Sequence, residues 1–321
     1  MTQKIVLLQP IASEMEGIIS SLLPEGFSAY AIKGRSTEEV KAGAADADYC
    51  VWWDLPVTAD VVAAAPRVKL FHKWGVGIDN IDIEACRARG IRIARTTGSN
   101  AVPVAEFAVG LMIALGRRIV QAHIATAAGG WPKTEVWQRS SLVSGKTVGI
   151  LGLGAIGKGV AKRLRGFDCT ILYHNRNRLP EAEEHALGVA YRSLDALLAE
   201  SDILSLNCPL TPETKGLINA RTLGRMKPGA LLVNVARGGV VVEADLVAAL
   251  RDGHLAGAAV DVFDQEPPPA DHPLLHMDNV IVTPHTASTA YENSRRSVRH
   301  WLGNILRVSR GEEIPEADRV L

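Results

Sequence analysis

The sequence predicts an α/β protein built from two doubly wound domains with parallel sheets. Short, β-branched apolar runs alternate with helical patterns over residues 1–96 and again after residue 146. Repeated strand–helix units of this kind imply a parallel sheet covered on both faces. A glycine-rich turn joins a strand to a helix within 146–178. The last helical pattern, 291–308, has no strand after it, so we expect it to return to the first domain.

Composition places the chain among ordinary globular proteins. Its 321 residues are 47% apolar and 22% charged, and the formal net charge is zero. A neutral chain gives no indication of nucleic acid or an anionic membrane surface as a partner. No apolar run approaches the roughly 18 residues of a membrane span, and no small-residue cleavage site follows the N-terminal apolar segment, so we expect a cytoplasmic protein. The cysteines lack metal-like spacing, which predicts reduced structural thiols and no metal site: Cys50, Cys86, Cys169 and Cys208.

The first domain is predicted to begin with residues 1–98. Five short apolar runs alternate there with four helical patterns, the arrangement of a small flavodoxin-like domain. The predicted strands are Ile5–Leu8, Phe27–Ile32, Tyr49–Trp53, Val68–His72 and Ile91–Ala94. The predicted helices are Ser13–Leu23, Ser36–Gly43, Thr58–Ala65 and Ile83–Arg89.

A long helix and an irregular segment follow the first domain. Ser99 or Asn100 is placed to cap the helix, and the apolar stripe continues to about Val120. Residues 126–145 contain two tryptophans but little core pattern. We interpret 100–145 as an arm that packs on a second subunit. The alternative is a surface loop that covers its own domain.

The second domain, residues 99–291, is predicted to be a Rossmann dinucleotide-binding domain of six or seven strands. Because the final helix returns to the first domain, that domain comprises 1–98 and 292–321, and the chain crosses twice. Two crossovers would form a hinge beside a cleft, where ligands commonly bind. The strands expected after the glycine-rich turn are Ile203–Asn207, Leu231–Val235, Ala258–Val262 and Val280–Thr283, and the helices are Leu194–Ala199, Ala220–Met226 and Glu243–Asp252.

The stretch 146–178 carries a dinucleotide-binding signature. Its strand, glycine turn, helix and strand supply the context that makes a GxGxxG spacing specific. We expect Gly152 to allow the tight turn, Gly154 to let backbone approach a pyrophosphate, and Gly157 to let the helix pack on the strand. The free N–H groups and dipole at the helix N-terminus attract phosphate. Two further residues at this N-terminus are expected to contact the cofactor: Ala155 and Ile156.

The end of the same stretch bears on which dinucleotide binds. Sites that prefer NAD place an acidic residue about 20 residues past the glycines, where it binds the ribose 2′-hydroxyl. Here Asn175 takes that position, and Arg176 and Arg178 follow. An asparagine with two arginines would attract a 2′-phosphate, so we predict NADPH, with NADH also possible. The alternative is an ordinary solvated turn with weak selectivity.

Four further stretches fall at strand ends or loops, where α/β sites are built: KWGVGIDNID (73–82), NVARGG (234–239), DVFDQEPP (261–268) and TPHTAS (283–288). Together with GLGAIG they closely resemble the D-isomer-specific 2-hydroxyacid dehydrogenase family. The resemblance runs along nearly the whole chain and includes VPVAEFAVGLMIAL and NCPLTPET. It implies an oxidoreductase that uses a nicotinamide dinucleotide and forms a homodimer through 100–145.

Three residues in these stretches fit the chemistry of 2-keto acid reduction. Arg237 follows an apolar run, and its guanidinium can bind a carboxylate and a keto oxygen together. His285 follows a strand-like run and can donate a proton in reduction. Glu266 can hold the imidazole and favour its protonated form. The family uses these residue types in these catalytic roles at the matching positions, although each alone could be a phosphate-side arginine, a turn carboxylate or a capping histidine.

The stretch KWGVGID is similar to the family's substrate-carboxylate loop. The resemblance implies that the N–H groups of Val76 and Gly77 bind the carboxylate; the alternative is a plain strand-to-helix turn. Lys73 and Trp74 are expected to face the substrate; the alternative for Trp74 is that it packs in the wall of the cleft. Asn100 and Asp261 are expected beside the nicotinamide. The remaining cofactor contacts expected are Cys208, Pro209, Val235, Ala236 and His285.

The leading functional prediction is NADPH-dependent reduction of glyoxylate or hydroxypyruvate to the D-2-hydroxy acid. A 3-phosphoglycerate dehydrogenase and a reductase of sugar acids such as 2-ketogluconate are alternatives within the same chemistry. The former is less expected because the chain ends at residue 321 and the predicted cofactor is NADPH. A dinucleotide-sensing binding protein, similar to certain transcriptional corepressors, is an alternative of another class.

Overall fold

The computed structural model describes residues 2–321, which form two compact units. One unit comprises residues 2–100 and 289–321, and the other comprises 101–288. Each contains one parallel sheet with helices on both faces, so the predicted fold class is confirmed. None of the helices in 2–321 is long and apolar enough to cross a membrane.

The first unit is built on five parallel strands whose residues alternate between two apolar clusters. Its elements are β1 (Gln3–Leu7), α1 (Ser13–Ser20), β2 (Phe27–Ala31), α2 (Thr37–Asp46), β3 (Tyr49–Trp52), α3 (Ala59–Ala63), β4 (Leu70–Lys73), α4 (Ile83–Ala88) and β5 (Arg92–Arg95). The strand order is β2-β1-β3-β4-β5. Val6 packs with α2–α4 on one face, whereas Ile5 and Leu7 lie in the cluster on the other face with α1.

The second unit is built on seven parallel strands in the order β12-β11-β10-β9-β6-β7-β8. Its elements are α5 (Ala101–Gly116), α6 (Ile119–Ala127), α7 (Lys133–Arg139), β6 (Thr147–Leu151), α8 (Ala155–Leu164), β7 (Thr170–His174), α9 (Glu181–Leu187), β8 (Ala190–Tyr191), α10 (Leu194–Glu200), β9 (Ile203–Leu206), α11 (Ala220–Leu223), β10 (Ala230–Asn234), α12 (Glu243–Arg251), β11 (Leu255–Val260) and β12 (Val280–Val282). Helix α13 (Tyr291–Ser309) follows and packs in the first unit, where Trp301 joins the cluster around Ile5.

Two predictions about the segment after residue 100 are wrong. The helix expected to reach Val120 ends at Gly116, because Arg118 adopts a left-handed conformation (φ 53°) and α6 begins after it. The N–H of Ser141 donates to the Gly116 carbonyl at 2.7 Å, which satisfies one of the carbonyl groups at the end of α5. The region 126–145, expected to be irregular, contains the end of α6 and the whole of α7.

Candidate active site

The glycine turn between β6 and α8 has the tight packing that its sequence predicts. Gly152 has φ 95°, and a Cβ there would lie 2.6 Å from the backbone nitrogen of Cys208. A Cβ on Gly157 would lie 2.2 Å from the Gly152 carbonyl oxygen, so only glycine lets the helix approach the turn. Gly154 is different: it precedes α8, and a Cβ there meets no atom within 4 Å. The space above the helix N-terminus is therefore open.

A dinucleotide fits this turn by two observations. Gly154 and Ala155 are exposed at the N-terminus of α8, where N–H groups and the helix dipole favour phosphate. Asn207, beside the turn through its N–H bond to the Leu151 carbonyl, has a buried Oδ1 with no hydrogen-bond partner. An unpaired buried acceptor at this position can accept from a bound ligand. Asn207 was not predicted to be a site residue, although it begins the stretch NCPLTPET.

Four of the predicted cofactor residues follow β9 and β10 at the same edge of the sheet: Cys208, Pro209, Val235 and Ala236. Cys208 follows β9 directly after Asn207, and burial raises its pKa to about 11, which keeps the thiol uncharged. Pro209 is exposed, while Val235 and Ala236 are buried after the end of β10. Ile156 lies in the first turn of α8. Asn100 belongs to the first unit, and its buried Oδ1 has no hydrogen-bond partner.

In the turn after β7, two of the side chains predicted to face the cofactor, Asn175 and Arg178, make hydrogen bonds within the protein. Asn175 Oδ1 accepts from the Leu153 N–H at 2.6 Å, so this side chain braces the glycine turn. Arg178 donates from Nε and Nη2 to both oxygens of Glu184, at 2.8 and 2.7 Å. Arg176 is the exposed cation of this turn that lies outside that pair. Its charge helps to lower the pKa of Glu213, after the larger contribution of hydrogen bonding.

Glu184 is a buried carboxylate that organises this turn. The hydrogen bonds from Arg178 and from the Tyr173 hydroxyl lower its pKa to about 2. The Tyr173 oxygen in turn accepts from the Leu179 N–H at 2.9 Å. The backbone around Arg176 is thus held by a side-chain network that reaches from β7 to α9.

The three predicted catalytic residues follow three adjacent strands. Arg237 lies after β10, Glu266 after β11 and His285 after β12, and these strands are neighbours in the sheet. His285 Nδ1 is 2.7 Å from Glu266 Oε2. Arg237 is close enough for its charge to act on both groups, although its effect on each pKa is smaller than that of their mutual hydrogen bond. The structure therefore brings the predicted triad together.

Gly238 brings two of these loops into contact. A Cβ at this position would lie 1.9 Å from the backbone carbon of Phe263 and 2.2 Å from the backbone nitrogen of Asp264. The loop of Arg237 therefore rests directly on the loop of Glu266, with no side chain between the two backbones.

Asp261 holds the loop that carries His285. Its carboxylate accepts from the Thr283 hydroxyl at 2.6 Å and from the N–H groups of Thr286 and Ala287, each at 2.9 Å. Its carbonyl accepts from the N–H of His285, which adopts a left-handed conformation at φ 53°. Asp261 is 1% exposed, so these contacts make it a positioning residue for His285. Its expected contact with the nicotinamide carboxamide stays a prediction.

A second histidine–carboxylate pair supports the Glu266 loop. Glu243 Oε1 accepts from the Asp264 N–H at 2.8 Å, and Oε2 lies 3.0 Å from His272 Nε2. His272 Nδ1 accepts from the Leu274 N–H, so Nε2 carries the proton. Neither Glu243 nor His272 was predicted to have a role, because each meets the loop only through a contact distant in sequence.

The predicted carboxylate loop follows β4 in the first unit. The Lys73 ammonium is buried and donates to the Trp53 carbonyl and to Asn80 Oδ1. Trp74 packs between Trp53 and Trp301, with ring centroids 5.2 and 5.9 Å away. These contacts give Lys73 and Trp74 structural tasks, and their contact with substrate stays a prediction. The residues that follow, Val76 and Gly77, are partly exposed.

The profile of a family described as D-isomer specific 2-hydroxyacid dehydrogenase, NAD binding domain, matches residues 109–287. The chain belongs to the D-isomer-specific 2-hydroxyacid dehydrogenase family. The dehydrogenase is 43% identical over 274 residues to a glyoxylate reductase of Thermofilum pendens, covering 84% of this chain and 80% of that protein. It is 39% identical to a D-3-phosphoglycerate dehydrogenase of Mycobacterium leprae over 82% of this chain but 49% of that protein. A crystal structure of a glyoxylate reductase from Paecilomyes thermophila has a TM-score of 0.83 and 32% identity, covering 99% of this chain and 98% of that one.

In the dehydrogenase, the pair formed by His285 and Glu266 determines which nitrogen can move a proton. Nδ1 of His285 is taken by Glu266, so Nε2 is the nitrogen that can exchange a proton with a substrate oxygen. The hydrogen bond to Glu266 raises the pKa of His285, against the opposing effect of burial. Burial disfavours ionisation of Glu266, but the hydrogen bond and charge of His285 outweigh it and lower the pKa of Glu266. The pair therefore favours the protonated form of the imidazole.

Among residues 2–321 of the dehydrogenase, no group of three or more histidine, cysteine, aspartate or glutamate side chains is arranged to hold a metal ion.

Proposed function

We propose that the dehydrogenase uses NADPH to reduce a small 2-keto acid, glyoxylate or hydroxypyruvate, to the D-2-hydroxy acid. The observation that carries this proposal is the His285–Glu266 pair, at 2.7 Å, with the charge of Arg237 acting on both members. A proton donor and a guanidinium are the groups that a reducible 2-keto acid requires. The glyoxylate reductase of Thermofilum pendens, at 43% identity, supports the choice of a small substrate.

Each residue of the site has a task in this reaction. A bound nicotinamide dinucleotide supplies the hydride for the keto carbon. His285 donates the proton from Nε2 to the carbonyl oxygen, and Glu266 stabilises the imidazolium before that transfer. Arg237 binds the carboxylate and the keto oxygen, and the amides of Val76 and Gly77 bind the same carboxylate. The cleft between the units, and its closure over substrate, stay predictions.

The preference for NADPH depends on the turn after β7. Asn175 has no negative charge to repel a 2′-phosphate, and Arg176 is an exposed cation on a turn that Glu184 holds in place. Arg178 is paired with Glu184, so we assign the phosphate contact to Arg176 and not to both arginines.

A panel of 2-keto acids of increasing size, assayed with NADPH and with NADH, tests both parts of the proposal. We expect the highest kcat/KM with glyoxylate or hydroxypyruvate and NADPH. Turnover tenfold better with NADH would refute the cofactor assignment. No turnover with any 2-keto acid would refute the reductase and favour a dinucleotide-sensing protein.

A second candidate function is oxidation of 3-phosphoglycerate. Identity of 39% to the Mycobacterium leprae D-3-phosphoglycerate dehydrogenase favours it, although this chain spans 49% of that protein. Including 3-phosphohydroxypyruvate in the same panel distinguishes the two, because a phosphate-specific enzyme would prefer it to hydroxypyruvate.

We also propose that the protein forms a homodimer through 100–145 and is cytoplasmic. Trp131 and Trp137 are 82% and 76% exposed, and Ile119 and Ile124 are also exposed on α6. Apolar side chains in one surface segment favour burial against a partner. Sedimentation analysis of Trp131→Glu together with Trp137→Glu should show dissociation, whereas an unchanged molecular mass would refute this interface.

A further inference from the structure

A series of buried hydrogen bonds in the first unit ends at the segment that precedes the predicted carboxylate loop. His72 is fully buried, and its Nδ1 lies 3.0 Å from the carbonyl oxygen of Lys73. A carbonyl oxygen can only accept, so Nδ1 carries the proton. Nε2 is then the acceptor, and Asn304 Nδ2 donates to it at 3.0 Å. The tautomer of His72 is thus fixed, and burial lowers its pKa to about 3, which keeps the ring neutral.

From Asn304 on α13, the series of hydrogen bonds continues to the carboxylate of Asp318. The second N–H of Asn304 Nδ2 donates to Asp318 Oδ2 at 3.0 Å, and His300 Nε2 lies 2.6 Å from the same oxygen. Asp318 Oδ1 accepts from the Thr97 N–H at 3.1 Å. Burial opposes ionisation of Asp318, but the hydrogen bonds from Asn304 and His300 outweigh it and lower its pKa. Asn304 thus donates in both directions, to Nε2 of His72 on one side and to the Asp318 carboxylate on the other.

The receiving carbonyl lies at the start of the predicted loop. The oxygen of Lys73 also accepts from the Thr96 hydroxyl at 2.9 Å. The Trp74 N–H donates to the Trp52 carbonyl at 2.7 Å, and the Gly75 carbonyl accepts from the Thr96 N–H at 2.9 Å. Both sides of the peptide between residues 73 and 74 are therefore held by hydrogen bonds, and the next amides along the chain are those expected to bind the carboxylate.

We propose that His72, Asn304 and Asp318 are positioning residues for the substrate carboxylate. Through the Lys73 carbonyl they fix the orientation of the peptide from which the loop departs, and hence the direction of the Val76 and Gly77 N–H groups. Apolar side chains could fill the same volume without the desolvation cost of a buried carboxylate. The inference rests on the proposed function, because it assigns a purpose to the loop that would bind the 2-keto acid.

Two substitutions of His72 separate positioning from simple packing. In His72→Gln the amide oxygen can replace Nε2 and accept from Asn304, but the donor from residue 72 to the Lys73 carbonyl is lost, and only the Thr96 hydroxyl still donates to it. In His72→Asn the amide nitrogen replaces Nδ1 and keeps that donor, while the bond to Asn304 is lost. We expect His72→Gln to raise the KM for glyoxylate about five- to tenfold, with kcat and the KM for NADPH within about twofold of wild type. His72→Asn should raise it by about twofold or less.

Two further variants complete the test. Asn304→Leu removes both donors at nearly constant volume but leaves His72 Nδ1 on the Lys73 carbonyl, so we expect a rise in the KM for glyoxylate of about two- to fivefold, between those of the two His72 variants. Tyr49→Phe removes a hydrogen bond of 2.7 Å to Gln3 from the same sheet and serves as the matched control. We expect it to lower Tm comparably and to leave the KM for glyoxylate unchanged. If His72→Gln and Asn304→Leu lower Tm but also leave KM unchanged, the role is structural and the proposal is wrong.

Hydrogen–deuterium exchange separates this inference from the proposed function. Amides in 74–80 should exchange faster in His72→Gln than in His72→Asn, whether or not the wild-type protein reduces a 2-keto acid. Equal exchange in the two variants would overturn the positioning role. Absence of turnover in the wild-type protein, with the exchange difference present, would overturn only the proposed function.

Discussion

Replacement of Gly238 by alanine should separate two loops of the active site. The new Cβ would lie 1.9 Å from the Phe263 backbone carbon, about 1.5 Å closer than ordinary contact at 3.4 Å. The backbone must therefore move by more than 1 Å at the junction that brings Arg237 against the Glu266 loop. A misplacement of roughly 1 Å can cost about 100-fold in rate, which corresponds to about 2.7 kcal/mol of transition-state stabilisation. Overpacking should also lower the free energy of unfolding by about 1–3 kcal/mol.

Steady-state kinetics with glyoxylate and thermal unfolding measure these two effects of Gly238→Ala. Gly17→Ala is the matched control, because Gly17 lies on the exposed face of α1 and a Cβ there meets no atom within 4 Å. Alanine in that helix should leave kcat/KM unchanged and stabilise the fold slightly. A folded Gly238→Ala protein with kcat/KM within threefold of wild type would refute the reasoning.

Three further predictions concern charged groups. Glu266→Gln removes the negative charge and leaves a neutral, weaker acceptor for His285 Nδ1, so the pKa of His285 should fall. The decline of the reductive rate with rising pH should then begin at lower pH than in wild type, and an unchanged pH–rate profile would contradict this. Arg176→Ala should raise the KM for NADPH about tenfold without changing the KM for NADH. Arg178→Ala should mainly lower Tm, because it leaves Glu184 without its cation. An equal loss of NADPH affinity in both variants would contradict the assignment of the phosphate contact to Arg176 alone. The pKa of Glu184 is about 2 in the fold, against an ordinary value near 4.5, so the ionised carboxylate stabilises the protein above pH 4.5 and this contribution is lost as the pH falls toward 2. Between pH 5 and pH 2, the Tm of Glu184→Gln should therefore fall by less than the Tm of the wild-type protein. Equal decreases in Tm would contradict this.

Periodicity predicted most of the fold, because buried parallel strands read as short apolar runs with helices between them. It failed where the structure depends on a single backbone conformation or on very short elements. Nothing in the residue type of Arg118 indicates the left-handed conformation that ends α5. Helix α9 was missed although Pro180 precedes it and Gly188 ends it in a left-handed conformation, signals that were present in the sequence. The two-residue strand β8 is too short to show any alternation.

The candidate site was predictable where residue type and strand position suffice. Arg237, Glu266 and His285 follow three strands that become neighbours, so parallel topology alone brings them to one edge of the sheet. The sequence could not show that Asn175 Oδ1 accepts a hydrogen bond from the Leu153 N–H, 22 residues away, or that Arg178 donates to Glu184. Such hydrogen bonds depend on side-chain directions that a motif does not specify.

The return of α13 to the first unit has a consequence for folding during synthesis. The apolar cluster that contains Ile5 and Leu7 is completed by Val298, Trp301 and Ile305, nearly the whole chain length later. Residues 101–288 can fold as soon as they leave the ribosome, whereas the face of the first sheet that α1 covers in part stays incomplete until α13 is made. We expect the unit that contains the N-terminus to finish folding last, and a nascent chain stalled before residue 289 to be a substrate for chaperones.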